Sequence, residues 1–411
     1  MNILIATSTV TFNAGIPSFN RELSSLLGKD NTLDLLVDEN ISIYTGYRKV
    51  YTTAAFNLNS LKSSRKLVEL INDNGYDLII NSNSHALAII APFINDDTKI
   101  LTVSHSLGTL DCDNAAFNHR YIDGIIALSN NCKEYILSRF KRLSSDKVSV
   151  VYNSVATLDN SQELNTSKRS NNTLSIVFAG GTAPSKSPDI AIKVLRELCK
   201  TNLRFKFYWL GNSTPPLKKF QPYSDIREIL PHDDRIVITG RIPQSEASKI
   251  IASCNIFLAP SRREGFPMAL LEAMRVGCIP IISDYNIANK EVIKNEDTGF
   301  IISHNDISGF VSLIKDIIVN HDRYIDIYQN TYRDFIDNLS FSVWYRNIDN
   351  VVRGIKNKHK QRKRFTNTSF LSSLYRFKLL DKYNLVENHI KEVIPCAYIF
   401  WKIYKSNKQC Q

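Results

Sequence analysis

Short apolar, β-branched runs alternate with amphipathic stretches along most of this chain. NILIAT (2–7), TLDLLV (32–37), DLIIN (77–81), KILTVS (99–104), GIIALS (124–129) and VSVVYN (148–153) predict parallel strands of a first half. Residues 17–28, 60–73 and 130–142 between them carry a helical period. A second series follows with LSIVFAGG (174–181), FKFYWLGN (205–212), RIVITGR (235–241), IFLAPS (256–261) and IPIISD (279–284). Its helices are predicted near 188–200, 244–253, 267–276 and 306–319, with a long amphipathic helix, FSVWYRNIDNVVRGI, over 341–355. This is the βαβ rhythm of doubly wound sheets, here twice over.

Residues 156–173 are polar and turn-forming, so they predict a linker between domains of 1–155 and 174–340. The helix 341–355 closes the second domain, and 356–411 forms a tail. At 411 residues the chain is long enough for two cores. The expected architecture is α/β, two doubly wound Rossmann-like domains facing a cleft, with a C-terminal helical tail. Ligands of open α/β sheets bind at the carboxyl ends of the strands.

Composition excludes several classes. The start, MNILIATSTVTF, reads as a first strand and not a signal peptide, and no run approaches the roughly 18 apolar residues that span a membrane. Seven cysteines, an odd number without a C-x-x-C pair, argue for a reducing compartment and against a disulfide framework or zinc site. The net charge of +11 is localised: residues 353–411 hold 14 Lys and Arg against 3 Asp and Glu, leaving the rest of the chain neutral. No nucleic-acid recognition fold accompanies that charge.

The stretch FLAPSRREGFPMALLEAMRVGCIPIIS (257–283) is the most informative. It reads as strand, loop, helix, strand. Glu264 lies in the loop, Pro267 opens the helix, Glu272 follows Glu264 with seven residues between them, and Gly277 suits the helix C-terminus. The amides of residues 266–269 (Phe266, Pro267 lacking one, Met268) offer donors to phosphate beside Gly265, while Glu264 offers acceptors to hydroxyls. That combination suits a sugar nucleotide. Gly15 in FNAGIPSFNREL permits close backbone approach after the first strand, His105 closes KILTVSHS, and Lys186 in AGGTAPSKSPD is a phosphate point charge. His85, in the loop after DLIIN, is a lesser candidate, and Asn153 reads as a structural turn.

The block resembles the signature of retaining GT-B glycosyltransferases of family 4. The resemblance is strong at 257–283, loose elsewhere over 1–352, and absent from the tail. It implies that Glu264 contacts the donor-sugar hydroxyls and Glu272 the nucleotide ribose. Gly15 would face the donor phosphates, and His105, in the "TV-x-H" place, would lie near the transferred sugar. Lys186 matches a Gly-Arg-x4-Lys loop whose two cations hold the diphosphate, but the Arg position is Gly181. Arg241, Arg262 and Arg263 are possible substitutes. Retention would follow from front-face attack, in which the leaving phosphate takes the acceptor proton, so the protein positions substrates and stabilises charge. No D-x-D pair follows an apolar strand, and DCD (111–113) reads as a loop, so neither metal nor cofactor is expected beyond the nucleotide-sugar co-substrate.

The tail interleaves Lys and Arg with FLSSLYRFKLL (370–380) and VIPCAYIFW (393–401), which suits an interfacial helix pair on anionic lipid over 356–405. A glycan or polyprenyl-linked acceptor at the cytoplasmic face of the plasma membrane, in bacterial polysaccharide assembly, follows as an expectation. Alternatives are aromatic runs packed on the N-terminal domain, a non-catalytic glycosyltransferase-like partner subunit, and a nucleotide-sugar epimerase on the same scaffold.

Overall fold

The computed structural model describes residues 1–8, 15–38, 46–53, 61–107, 109–155, 173–214, 225–262, 266–285 and 287–356. The interior of the expected linker, the tail beyond 356, and Arg263, Glu264 and Gly265 lie outside the described residues. Two compact units form: Met1–Val151 with the chain from Asn347 onward, and Tyr152–Arg346.

Among the described residues of the first unit seven strands, β1 (Asn2–Thr7), β2 (Thr32–Val37), β3 (Lys49–Thr52), β4 (Leu78–Ser82), β5 (Lys99–Ser104), β6 (Gly124–Ala127) and β7 (Val148–Val150), pair in the order β3-β2-β1-β4-β5-β6-β7. All the pairs are parallel. The helices are α1 (Gly15–Leu27), α2 (Leu61–Asp73), α3 (His85–Ile90), α4 (Thr109–Ala116) and α5 (Asn130–Arg139). Helices cover both faces of such a sheet, which is why Ile3, Leu4, Ile5 and Ala6 are consecutive apolar residues and all fully buried.

The second unit repeats the plan with β8 (Leu174–Ala179), β9 (Phe205–Leu210), β10 (Ile236–Gly240), β11 (Ile256–Ala259), β12 (Ile279–Ser283) and β13 (Phe300–Ile302), in the order β10-β9-β8-β11-β12-β13. Around them lie α6 (Pro188–Cys199), α7 (Gln244–Ser253), α8 (Met268–Met274), α9 (Ile287–Val292), α10 (Ile307–Val319) and α11 (Ile325–Asp334). Phe178 and Trp209, ring centroids 4.5 Å apart, anchor this core. The helix α12 (Phe341–Lys356) begins in the second unit and ends in the first, where Ile355 lies so close to Gly124 that a Cβ there would sit 2.7 Å from its Cδ1.

Two expectations are corrected. His85 is not in a loop but opens α3, whose N-cap Ser84 accepts a hydrogen bond from the Leu87 amide. DCD (111–113) is likewise helical, inside α4, because Cys112 and Asp113 turn into the core, Asp113 pairing there with Arg139. The short elements β3, β13, α3 and α9 escape the sequence pattern, being three to six residues long.

In each sheet the strand order reverses once, between β1 and β4 in the first and between β8 and β11 in the second. Crossovers leave the sheet on opposite faces at such a point, so a crevice opens at the carboxyl ends of the two strands.

Candidate functional site

At the second reversal the chain leaves β8 through two glycines. Gly181 has φ +54° and donates its amide to the Leu210 carbonyl at 2.8 Å. A Cβ on Gly181 would lie 2.5 Å from the Asn212 nitrogen, and one on Gly211 would lie 2.9 Å from the Gly181 nitrogen. The loops after β8 and β9 are therefore in direct backbone contact. The position where the resemblance calls for Arg has no room for a side chain. Gly180 is equally constrained, since a Cβ there would meet the Lys186 Cβ and Cγ at 2.7 Å. The loop folds back so that the Lys186 stem covers Gly180. Lys186 ends a short 3-10 turn (Pro184–Lys186), and the buried Ser187, left-handed at φ 53°, leads into α6 with Pro188 at its first position.

The loop after β11 is fastened to this one. The Arg262 amide donates to the Ser185 carbonyl at 2.7 Å, and the Arg262 guanidinium reaches Asp189, in the first turn of α6, at 3.1 Å. Of the substitute cations, Arg262 is thus brought beside Lys186. Arg241 stands exposed after the edge strand β10, two strands away from β8, and Arg263 lies outside the described residues together with Glu264 and Gly265.

Phe266 is 7% exposed and stacks on Tyr152, centroids 5.3 Å apart and planes 17° apart. The Tyr152 hydroxyl donates to Glu291 Oε2 at 3.2 Å, fixing that ring against α9. Pro267 is the N-cap of α8 and Met268 its first residue, so the early amides of this helix precede its intrahelical bonds. Gly277, past the end of α8, has φ +68°, as its place in the sequence requires. Glu272 is buried on α8 and accepts from Gln244 Nε2 on α7 at 3.1 Å. Burial raises its pKa, which the bonds from Gln244 and Ser248 and the charge of Arg275 only partly offset.

In the first unit Gly15 opens α1, and the loop ahead of it, 9–14, lies outside the described residues. Phe19 of α1 meets the His105 ring edge-on at 4.9 Å, which brings α1 beside the end of β5. His105 Nε2 bonds Ser82 Oγ, at the end of β4, at 2.7 Å. Burial pushes the imidazole pKa down to about 3, so His105 is neutral at physiological pH. Asn20 of α1 donates to Thr7 Oγ1 at 3.1 Å, and Asn83 bridges to Thr7 across the reversal point. His85 contacts Asn114 Oδ1 at 3.3 Å, and its amide is capped by Asp38.

Sequence reasoning missed Tyr152, Asp189 and Ser82, because each acts through a partner far along the chain. VVYNSV signals only a turn, and nothing in it announces Phe266, more than a hundred positions on.

A family model described as "Glycosyl transferases group 1" matches residues 160–334, and one described as "Glycosyltransferase Family 4" matches residues 28–157. An "uncharacterized 41.2 kDa protein in cps region" of Klebsiella pneumoniae is 22% identical over 76% of this chain and 89% of its own length. The lipopolysaccharide 1,6-galactosyltransferase of Escherichia coli K12 is 27% identical over 55% of this chain, which spans 60% of that enzyme. An Escherichia coli UDP-Gal:alpha-D-GlcNAc-diphosphoundecaprenol alpha-1,3-galactosyltransferase is 34% identical, but over only 23% of this chain and 24% of that protein. Among solved structures, Anabaena HepE in complex with UDP superimposes with TM-score 0.69 at 15% identity, covering 86% of this chain and 100% of that one. The outer core galactosyltransferase WaaB does so with TM-score 0.64 at 19% identity, covering 86% and 99%. The two family matches follow one another over residues 28–334 with a gap of two positions, so the chain carries a family 4 and a group 1 glycosyltransferase domain in succession, and its fold is the GT-B fold of the solved structures.

Proposed function

We propose that this protein transfers a hexosyl residue, with retention, from a nucleotide-sugar donor to a lipid-linked glycan acceptor in the assembly of a bacterial surface polysaccharide. The observation that carries this reading is the hydrogen bond from the Arg262 amide to the Ser185 carbonyl. It fastens the Lys186 loop to the loop that carries Glu264, at the reversal point of the second sheet. Lys186 and Arg262 then serve the donor diphosphate, with Asp189 holding the Arg262 guanidinium in place, and Arg241 and Arg263 are secondary candidates. Glu264 takes the sugar hydroxyls, Glu272 the ribose, and the backbone from Gly265 to Met268 the phosphate. In the first unit Gly15 approaches the phosphates, and neutral His105 donates or accepts a hydrogen bond without bringing a charge.

The UDP complexes of the fold neighbours and the galactosyltransferase relatives favour a UDP-sugar as the first donor to test. The acceptor reading rests on the diphosphoundecaprenol-linked acceptor named for one relative and on the basic, aromatic tail. Among the described residues no helix is long and apolar enough to cross a membrane. The tail is the segment we assign to the anionic lipid surface, with the protein peripheral on the cytoplasmic side.

Thermal-shift titration with UDP, GDP, ADP and their sugars tests the donor. Stabilisation by one nucleotide series is expected, and none by any would overturn the reading. The anomeric configuration of the product, read by NMR, tests retention. Liposome sedimentation of the triple variant Arg362→Glu, Lys363→Glu, Arg364→Glu should show weaker binding to anionic vesicles than the wild type; equal binding would remove the membrane role. Gly181 favours one other reading, a donor-binding but non-catalytic partner subunit, because its position cannot hold the second cation. A protein that binds the nucleotide yet neither hydrolyses nor transfers the sugar would support it.

A further inference from the structure

Among the described residues, the carboxyl edge of the second sheet carries an exposed aromatic ring, Tyr285, that no assigned role uses. Tyr285 stands two residues past the end of β12, between the loop after β11 and the loop after β13 in the strand order. It is 64% exposed, the most exposed of the large hydrophobic side chains among the described residues. An exposed ring at a surface turn is ordinarily mobile, but the backbone and ring of this one are held by its neighbours. Its amide donates to Ser283 Oγ at 3.1 Å, and that hydroxyl pairs with His304 Nδ1 at 3.0 Å. The His304 amide in turn donates to Asp284 Oδ1 at 2.9 Å, and the His304 ring lies against the Tyr285 ring, centroids 5.3 Å apart at 43°.

His304 is buried, and that burial, followed by the nearby Arg262 charge, lowers its pKa, so it backs the tyrosine as a neutral ring. Its electrostatic neighbours include Arg262 and Asp189, the pair that holds the Lys186 loop. Tyr285 therefore packs on a ring that feels the charges of the pair assigned to the donor diphosphate. Its outer face is presented to solvent on the edge where those residues stand. A fixed aromatic face on the sheet edge assigned to a sugar nucleotide matches the apolar C–H face of a pyranose.

We propose that Tyr285 is a stacking platform for a pyranose ring, a subsite of the site described above. This rests on the glycosyltransferase reading and adds a sugar-contacting residue to it. The ring stacked is that of the donor or of the acceptor, and two measurements on the full-length protein separate them. Calorimetry compares UDP with UDP-glucose and UDP-galactose. Saturation-transfer NMR, with and without UDP, follows the ring protons of octyl glycosides of glucose, galactose and N-acetylglucosamine.

Tyr285→Ala is expected to leave UDP affinity unchanged. For a donor ring it weakens the UDP-sugar by roughly three- to tenfold; for an acceptor ring it removes the glycoside signals. Tyr285→Phe, which keeps the ring, should match the wild type in both. The proposal is overturned if Tyr285→Ala matches the wild type in both, if UDP affinity falls equally with UDP-sugar affinity, or if the wild type binds neither a UDP-sugar nor a glycoside. Failure of all nucleotides to bind, with glycoside signals that depend on Tyr285, would instead count against the donor reading and leave the platform standing.

Discussion

The two reversal points share a topology and differ in chemistry. At the first, the ends of β1, β4 and β5 and the facing α1 offer neutral hydrogen-bonding groups, Thr7, Ser82, Asn83, Asn20 and an uncharged His105, and Asp38, the carboxylate directly after β2, is taken up in capping α3. At the second, Lys186, Arg262 and Asp189 are gathered within one loop pair, and a buried carboxylate, Glu272, lies on the adjoining helix. Desolvation explains why the separation is useful. A neutral imidazole packed against Phe19 costs little to bury, whereas charges are held where an opposite charge or a bound anion offsets their lost hydration. In the proposed function the first edge serves a polyol and the second a diphosphate.

The largest effect that would break this comparison is at Lys186. Lys186→Ala should lower turnover by on the order of 10²–10³-fold and weaken nucleotide binding, because it removes the cation we assign to the leaving group. Sugar release from the donor and calorimetry with UDP measure the two parts, and unchanged nucleotide affinity would move the phosphate elsewhere. Gly181→Arg tests the same edge in the opposite sense. Restoring the family's cation should fail, with Tm lower by roughly 5 °C or more, since the new Cβ has only 2.5 Å to the Asn212 nitrogen. A gain in activity would show that the glycine pair is not required.

At the first edge, His105→Asn should cost about tenfold in turnover while leaving UDP affinity intact, a split that a structural defect would not produce. Its pH dependence follows from the depressed pKa. Below about pH 6.5 the unfolded chain takes up a proton that the folded chain refuses until about pH 3, so His105 makes wild-type stability fall across that window. Chemical denaturation at a series of pH values should show His105→Asn without that component.

Glu272→Gln asks whether the buried carboxylate serves the ribose or only the α7–α8 contact. Its folded pKa is raised, so its contribution to stability is greatest below the ordinary carboxylate range and declines as pH rises through the folded value. At neutral pH the Gln variant should be at least as stable as the wild type, yet bind UDP several-fold more weakly. Equal UDP affinity would confine Glu272 to packing. The smallest effect is expected from Tyr152→Leu. Losing the stack on Phe266 should cost roughly three- to tenfold in turnover with little change in UDP affinity, and Tyr152→Phe should recover most of it.

Much of the scaffold was legible in the chain. Contiguous apolar runs marked every strand that is buried on both faces, and helical periods marked α1, α2, α6, α7 and α10. Short elements were not legible: KVYT makes an edge strand only because β2 supplies its ladder, and HALAII becomes a helix only once Asp38 and Ser84 cap it. The site divides in the same way. Lys186, Glu272 and His105 could be named from local motifs and their neighbours. Their surroundings could not: Gln244 and Ser82 reach Glu272 and His105 from 28 and 23 positions away, and Arg262, which joins the Lys186 loop, pairs with Asp189 across 73.

The sequence by itself determined two doubly wound halves, the residue types offered to a sugar nucleotide, and a cation missing at Gly181. All of these are matters of periodicity and local spacing. Only the tertiary structure decided that Gly181 has no space for that cation, that Arg262 is drawn to Lys186 while Arg241 is not, that His105 is neutral, and that Tyr285 stands fixed and outward. Each of these depends on distances between loops joined through parallel strand pairing and on how far each group is removed from water. Neither quantity exists until distant segments have packed.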